Sequence, residues 1–156
     1  MTAGSSVVHI HLKREGDWPP VAYEEISAAP LGSHRFRLTR PPLFAKRLAA
    51  GDTVRVVHLG NPELPWVEEV MEWGGHSTVR VIVLEKNGTS GEQRLQESVS
   101  ALGMTADRTR FDGLFVIDVP ADVDYAELRA VLDEGESHGL WEYEEGAVSA
   151  QHDSQL

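Results

Sequence analysis

The sequence predicts an α+β fold in two parts: a strand-rich antiparallel half that curves into a partial barrel, then a ferredoxin-like βαββαβ half. Three observations lead there. Short runs of alternating apolar and polar residues, each closed by Pro or Gly, fill residues 7–75. After residue 76 the pattern changes to Val- and Ile-rich runs separated by segments of helical period. The charge changes at the same place: 8 Lys/Arg stand against 9 Asp/Glu in residues 1–75, but 6 against 16 in residues 76–156.

The first half reads as successive strands. In Val7–Arg14, Val8, Ile10 and Leu12 share one face, and His9, His11 and Lys13 the other. Asp17-Trp18-Pro19-Pro20 makes a turn, Val21–Ala29 a second strand, and Pro30-Leu31-Gly32-Ser33 the next turn. His34–Arg40 is a third strand with Phe36 and Leu38 on the apolar side. Leu43–Ala50 is a short helix or turn, and Thr53–Leu59 a fourth strand. Trp66–Trp73 is a fifth strand whose Glu and Met content also allows a helical turn.

The joint Trp73-Gly74-Gly75-His76-Ser77-Thr78 leads into a strand over Thr78–Leu84. A helix over Ser90–Leu102 starts with a Ser90/Gln93 capping box and buries Leu95, Val99 and Leu102. Thr105–Phe111 and Leu114–Val119 form strands around an Asp112-Gly113 turn. Asp122 or Asp124 caps a helix that runs to Glu134, Gly135–Gly139 breaks it, and Leu140–Val148 is the last strand. The expected divisions are 7–75, 76–148 and a disordered tail over 149–156.

Composition excludes several functions. With no cysteine there is no disulfide, thiol nucleophile or thiolate ligand, which suits the cytoplasm. No apolar run is long enough to span a bilayer, and Met1–Ser6 lacks a signal core, so neither membrane insertion nor secretion is expected. A net charge of −11 repels phosphate backbones, so nucleic acid is not an expected partner. No P-loop, dinucleotide fingerprint, zinc motif or nucleophile elbow is present, and no cofactor is expected.

Four sets of residues carry chemistry. His9 and His11 sit at i and i+2 on one strand face, as a metal pair would, yet no third ligand is evident, so no metal is assigned. Residues 26–51 contain no acid but hold Arg35, Arg37, Arg40, Lys46 and Arg47, which suits an anion or pairing with the chain's own acids. At the joint, Gly75 allows amides to cradle an anion and His76 is an acid/base candidate. Ser77 is a ligand-binding candidate, but strand alternation points His76 away from it. Trp141 and Tyr143, with Trp18, Tyr23, Trp66 and Trp73, either pack the core or line a ligand pocket.

Several segments together resemble a bacterial family known only as domain of unknown function number 4265. They are Val8-His9-Ile10-His11-Leu12-Lys13, Trp18-Pro19-Pro20, Arg35-Phe36-Arg37-Leu38, Pro42-Leu43-Phe44-Ala45-Lys46, Gly51-Asp52, Gly75-His76-Ser77-Thr78-Val79-Arg80 and Trp141-Glu142-Tyr143-Glu144. The resemblance spans residues 7 to about 148. It implies a small bacterial protein and brings no activity or catalytic residue with it.

Taken together, the sequence points to a non-catalytic binding module for a small anionic ligand or a basic protein partner, in the manner of an immunity protein. The alternative is a small enzyme with a cleft between the halves, His76 as acid/base and Arg35/Arg37 holding an anionic substrate. An open sheet edge in the second half is compatible with a homodimer.

Overall fold

A computed structural model of the chain describes residues 6–84 and 88–156. The fold is α+β and sheet-rich, in two compact units, Met1–Gly74 and Gly75–Leu156.

The first unit holds five strands: β1 (Ser6–His11), β2 (Tyr23–Gly32), β3 (Arg35–Leu38), β4 (Thr53–Leu59) and β5 (Leu64–Glu72). Each pairs antiparallel with the next, and β5 returns parallel to β1 through His9 opposite Trp66. The sheet therefore closes into a barrel rather than stopping part-way. Five strands in a meander leave the last running the same way as the first, so closure requires that parallel pair. Register shifts at Thr53/Val54 and Arg55/Val56 supply local curvature. Inward residues Val8, Ile26, Ala28, Leu38, Val54 and Val56 form the core.

Two details differ from the sequence reading. Strand β2 runs through Pro30, because the ladder shifts register there and proline's missing N–H is tolerated at a bulge. The turn is instead Ser33-His34, both at positive φ (54° and 62°). No helix forms over residues 43–50. Two buried carboxylates hold that segment. Glu24 accepts the N–H groups of Leu43 (2.8 Å), Phe44 (3.0 Å) and Ala45 (2.6 Å). Asp52 accepts those of Ala49 (3.0 Å) and Gly74 (2.8 Å). Backbone donors satisfied by side chains have no need of helical carbonyls. The Gly74 contact also explains that glycine: a Cβ there would lie 2.5 Å from the carbonyl carbon of Gly51.

The second unit runs β6 (Ser77–Val83), α1 (Gly88–Ser100), β7 (Ala106–Arg108), β8 (Leu114–Val119), α2 (Tyr125–Ser137), β9 (Trp141–Ala147) and α3 (Ala150–Asp153). Its sheet has the order β7-β8-β6-β9, antiparallel throughout. Val79 and Val81 of β6 and Phe115 and Ile117 of β8 pack with Leu95 and Val99 of α1 and Leu128 and Leu132 of α2. Helix α1 begins at Gly88, so Ser90 lies inside its first turn and is not its cap. Asp124 caps α2 by accepting from Glu127 N–H at 3.1 Å.

Helix α2 also continues past Glu134 through Gly135, where a break was expected. The reason is Trp141. A Cβ on Gly135 would sit 1.9 Å from its ring, so glycine here makes room for the indole. The Trp141 N–H donates to Leu132 O at 3.0 Å, which fixes the ring beneath the helix.

The C-terminal segment is folded, not disordered. Ser149 caps α3 by accepting from His152 N–H at 3.1 Å, and the His152 side chain is fully buried. The residues around it are polar, so hydropathy gives no sign of an anchor.

Candidate functional site

The residues singled out from sequence fall into separate clusters. In the first unit, His9 and His11 point outward from β1 toward Trp66 of β5. His11 stacks on the indole (4.1 Å between centroids, 10°), and His9 tilts against it at 5.3 Å. Tyr23 of β2 closes the group at 5.6 Å from Trp66. His9 is buried, with ring nitrogens 3.4 Å from Pro65 O and 3.4 Å from a Glu25 carboxylate oxygen. The imidazoles are thus engaged by aromatic faces. Among the described residues no group of three or more His, Asp or Glu is arranged to hold a metal ion.

Arg35 and Arg37 lie on the outward face of β3, because Phe36 and Leu38 take the inward positions. Both are exposed, and among the described residues neither forms an ion pair. Across the ladder Arg35 faces Arg55 of β4, whose guanidinium is held by Glu69 (2.7 Å) and Glu68 (3.2 Å). These carboxylates raise the Arg55 pKa, led by the hydrogen bond that Arg55 donates to Glu69. Arg35 and Arg37, about 7 Å apart along a strand, therefore present two free forks beside a third that is already neutralised. Lys46 and Arg47 are exposed on the segment after β3.

In the second unit, Gly75 has φ +92° and directs the chain into β6. His76 Nδ1 lies 2.8 Å from Asp118 Oδ1, both side chains being about one-third exposed (31% and 35%). A carboxylate only accepts, so Nδ1 carries the donated proton and Nε2 is the nitrogen left to exchange one. That geometry suits proton transfer.

Ser77 meets a different histidine. Its Oγ lies 2.6 Å from His152 Nδ1, and His152 Nε2 lies 3.0 Å from Pro120 O. The carbonyl fixes the tautomer: Nε2 donates to it, so Nδ1 accepts the Ser77 hydroxyl. Ser77 Oγ in turn accepts from Ser149 N–H at 2.9 Å. This serine–histidine pair superficially resembles a nucleophile and its base. Both side chains are fully buried, however, and a backbone carbonyl replaces the orienting acid, so the pair serves to fasten the C-terminal segment. Tyr125 stacks on the His152 ring at 5.0 Å.

Trp141 is buried in the core, whereas Tyr143 lies half-buried with its hydroxyl donating to Asp133. Burial, then the Asp133 hydrogen bond, pushes the Tyr143 pKa up to about 12. Burial and a 2.6 Å bond to Glu145 raise Tyr125 further. Both raised values predict an alkaline limit. The stability they carry is complete below pH 10, the unfolded value, and is lost as pH rises through the folded values. A pH series of urea melts should show this loss. A Tyr143→Phe variant with the same loss above pH 10 as the parent would remove Tyr143 from the account.

Sequence reasoning missed Glu24, Asp118, His152 and the role of Trp66. Glu24 left a trace: strand alternation places it on the inward face with Ile26 and Ala28. The other partnerships join residues far apart in sequence and left none.

Among the described residues, no helix is long and apolar enough to cross a membrane. No curated protein matches the chain significantly. One solved structure, a novel crystal structure of a hypothetical protein from Neisseria gonorrhoeae, matches with a TM-score of 0.75 at 16% identity, over 93% of this chain and 96% of that one. At that identity the likeness speaks for the fold alone. The family described as "Domain of unknown function (DUF4265)" matches residues 24–143, most of the length, and the chain belongs to that family.

Proposed function

We propose that the protein is a non-catalytic binding module whose first unit holds a small anionic ligand on strand β3. One observation carries this reading: Arg35 and Arg37 stand side by side, exposed, with no ion pair among the described residues. In a chain with 25 acids and a net charge of −11, two unpaired guanidiniums on one strand face, next to a paired one, make a local concentration of positive charge. Guanidinium forks match carboxylates and phosphates. Docking of a basic protein on the acidic half has weaker support. There Glu92, Asp118, Asp133, Glu144 and Glu145 are already engaged by side chains of their own unit.

The second reading, an enzyme with His76 as acid/base, rests on the 2.8 Å contact with Asp118. We also infer a ferredoxin-like second unit, which the antiparallel β7-β8-β6-β9 order supports.

Citrate and inorganic phosphate titrations by calorimetry test the binding reading. Affinity is expected to fall about tenfold or more in the Arg35→Ala/Arg37→Ala double variant, roughly the loss of one charge-assisted contact. Binding should weaken with added salt and stay unchanged in His76→Asn. Equal affinity in the double variant, or no binding by the parent protein, would overturn the reading.

A further inference from the structure

Helices α1 and α2 do not interdigitate along their whole length. Arg94 and Ser98 on α1, with Ala101 in the turn just past its end, follow one another at helical spacing; on α2, Glu127, Val131 and Glu134 do the same. Between these two stripes lies an open cleft of about 280 Å³ with Trp141 among its lining residues. Ser98, Ala101 and Gly135 are too small to fill it. The floor is built in: the Trp141 ring is buried, held by its bond to Leu132 O, and accommodated by the missing Cβ of Gly135.

The rim is charged. Arg94, Glu127 and Glu134 are exposed, and among the described residues none of them forms an ion pair. A cation on one helix and two carboxylates on the other have not met across the cleft. Ligand sites run from about 300 Å³ upward, so this one suits only a metabolite-sized occupant. An apolar floor with one positive and two negative groups at its rim complements a small zwitterion with an apolar body.

We propose that the α1–α2 cleft binds a free apolar α-amino acid. Arg94 takes its carboxylate, Glu127 or Glu134 its ammonium group, and the side chain packs on Leu102, Val131 and Leu140 above the buried Trp141. The inference is independent of the anion reading, which concerns β3 in the other unit.

The test is an NMR titration of the intact protein with L-leucine, L-methionine and L-phenylalanine, following the Trp141 indole resonance and the amides of α1 and α2. A saturable shift is expected for at least one of them. Arg94→Ala and the Glu127→Gln/Glu134→Gln double variant, all at exposed positions, should weaken it several-fold each. The leucine analogues 4-methylpentanoate, without the amine, and 3-methylbutylamine, without the acid, should bind about tenfold more weakly, the worth of one charge-assisted contact. An Ala101→Leu variant should keep the fold and lose the shift. No saturable shift up to about 20 mM, where binding would be negligible, overturns the proposal. So does equal affinity for either analogue, or binding unaffected by Arg94→Ala.

Discussion

Replacing Glu24 with alanine is expected to destabilise the barrel unit by about 3–5 kcal/mol, the usual cost of stripping a buried charged acceptor from its partners. The carboxylate takes three backbone N–H groups, from Leu43, Phe44 and Ala45, and is almost wholly buried. Without it those three N–H groups lose their carboxylate acceptor. Glu24→Gln should be milder, about half the loss. One oxygen, Oε1, serves both Phe44 and Ala45, and a glutamine carbonyl can keep that role. Its NH₂ would then oppose the Leu43 N–H, donor against donor. Urea melts followed by the amides of residues 42–50 provide the measurement. A loss below about 1 kcal/mol in the alanine variant would mean that the segment finds other acceptors.

His152→Ala is expected to cost about 3 kcal/mol, combining a truncated buried ring with two lost hydrogen bonds. The change removes the partners of Ser77 and Pro120 and the ring that Tyr125 covers. Hydrogen exchange should show loss of protection first at residues 150–156, then at the start of β6. Deleting residues 149–156 should reproduce most of the effect. Unchanged protection of the C-terminal amides in the alanine variant would mean that Ser149 and Gln155, which accepts from Tyr125 N–H at 2.7 Å, hold the segment without the imidazole.

Much of the fold was legible because strands and helices announce themselves by period. Leu114–Val119 was bounded to the residue, and β4 likewise. Asp122 and Asp124 both stood before an apolar helical face as possible caps, and Asp124 is the one that serves. What failed has a common cause. Residues 43–50, Gly135 and the C-terminal segment are each governed by side-chain contacts that follow no local period: Glu24 and Asp52, the Trp141 ring, and the Ser77–His152 pair. Local periodicity carries no information about such partners.

The candidate sites show the same limit. Strand alternation put Arg35 and Arg37 outward and His9 beside His11, and the structure agrees. It also separated His76 from Ser77, and each has its own partner, Asp118 and His152. Nothing local revealed that Arg55 is neutralised while Arg35 and Arg37 are not, since that depends on the neighbouring strand.

The 75 residues separating Ser77 from His152 set an order of events during synthesis. Chains emerge from the ribosome N-terminus first, and compact units fold as they become available. All five barrel strands, and the Glu24 and Asp52 contacts that brace them, are complete once Gly74 has emerged. The second unit has no such head start. Its first strand, β6, pairs with its last, β9, and Ser77 at the head of β6 waits for a histidine made later still. Once residues up to between 120 and 140 have emerged, the chain would thus carry a finished barrel and a β6 with one flank unpaired. That interval is when the molecule is most exposed to chaperones and to aggregation.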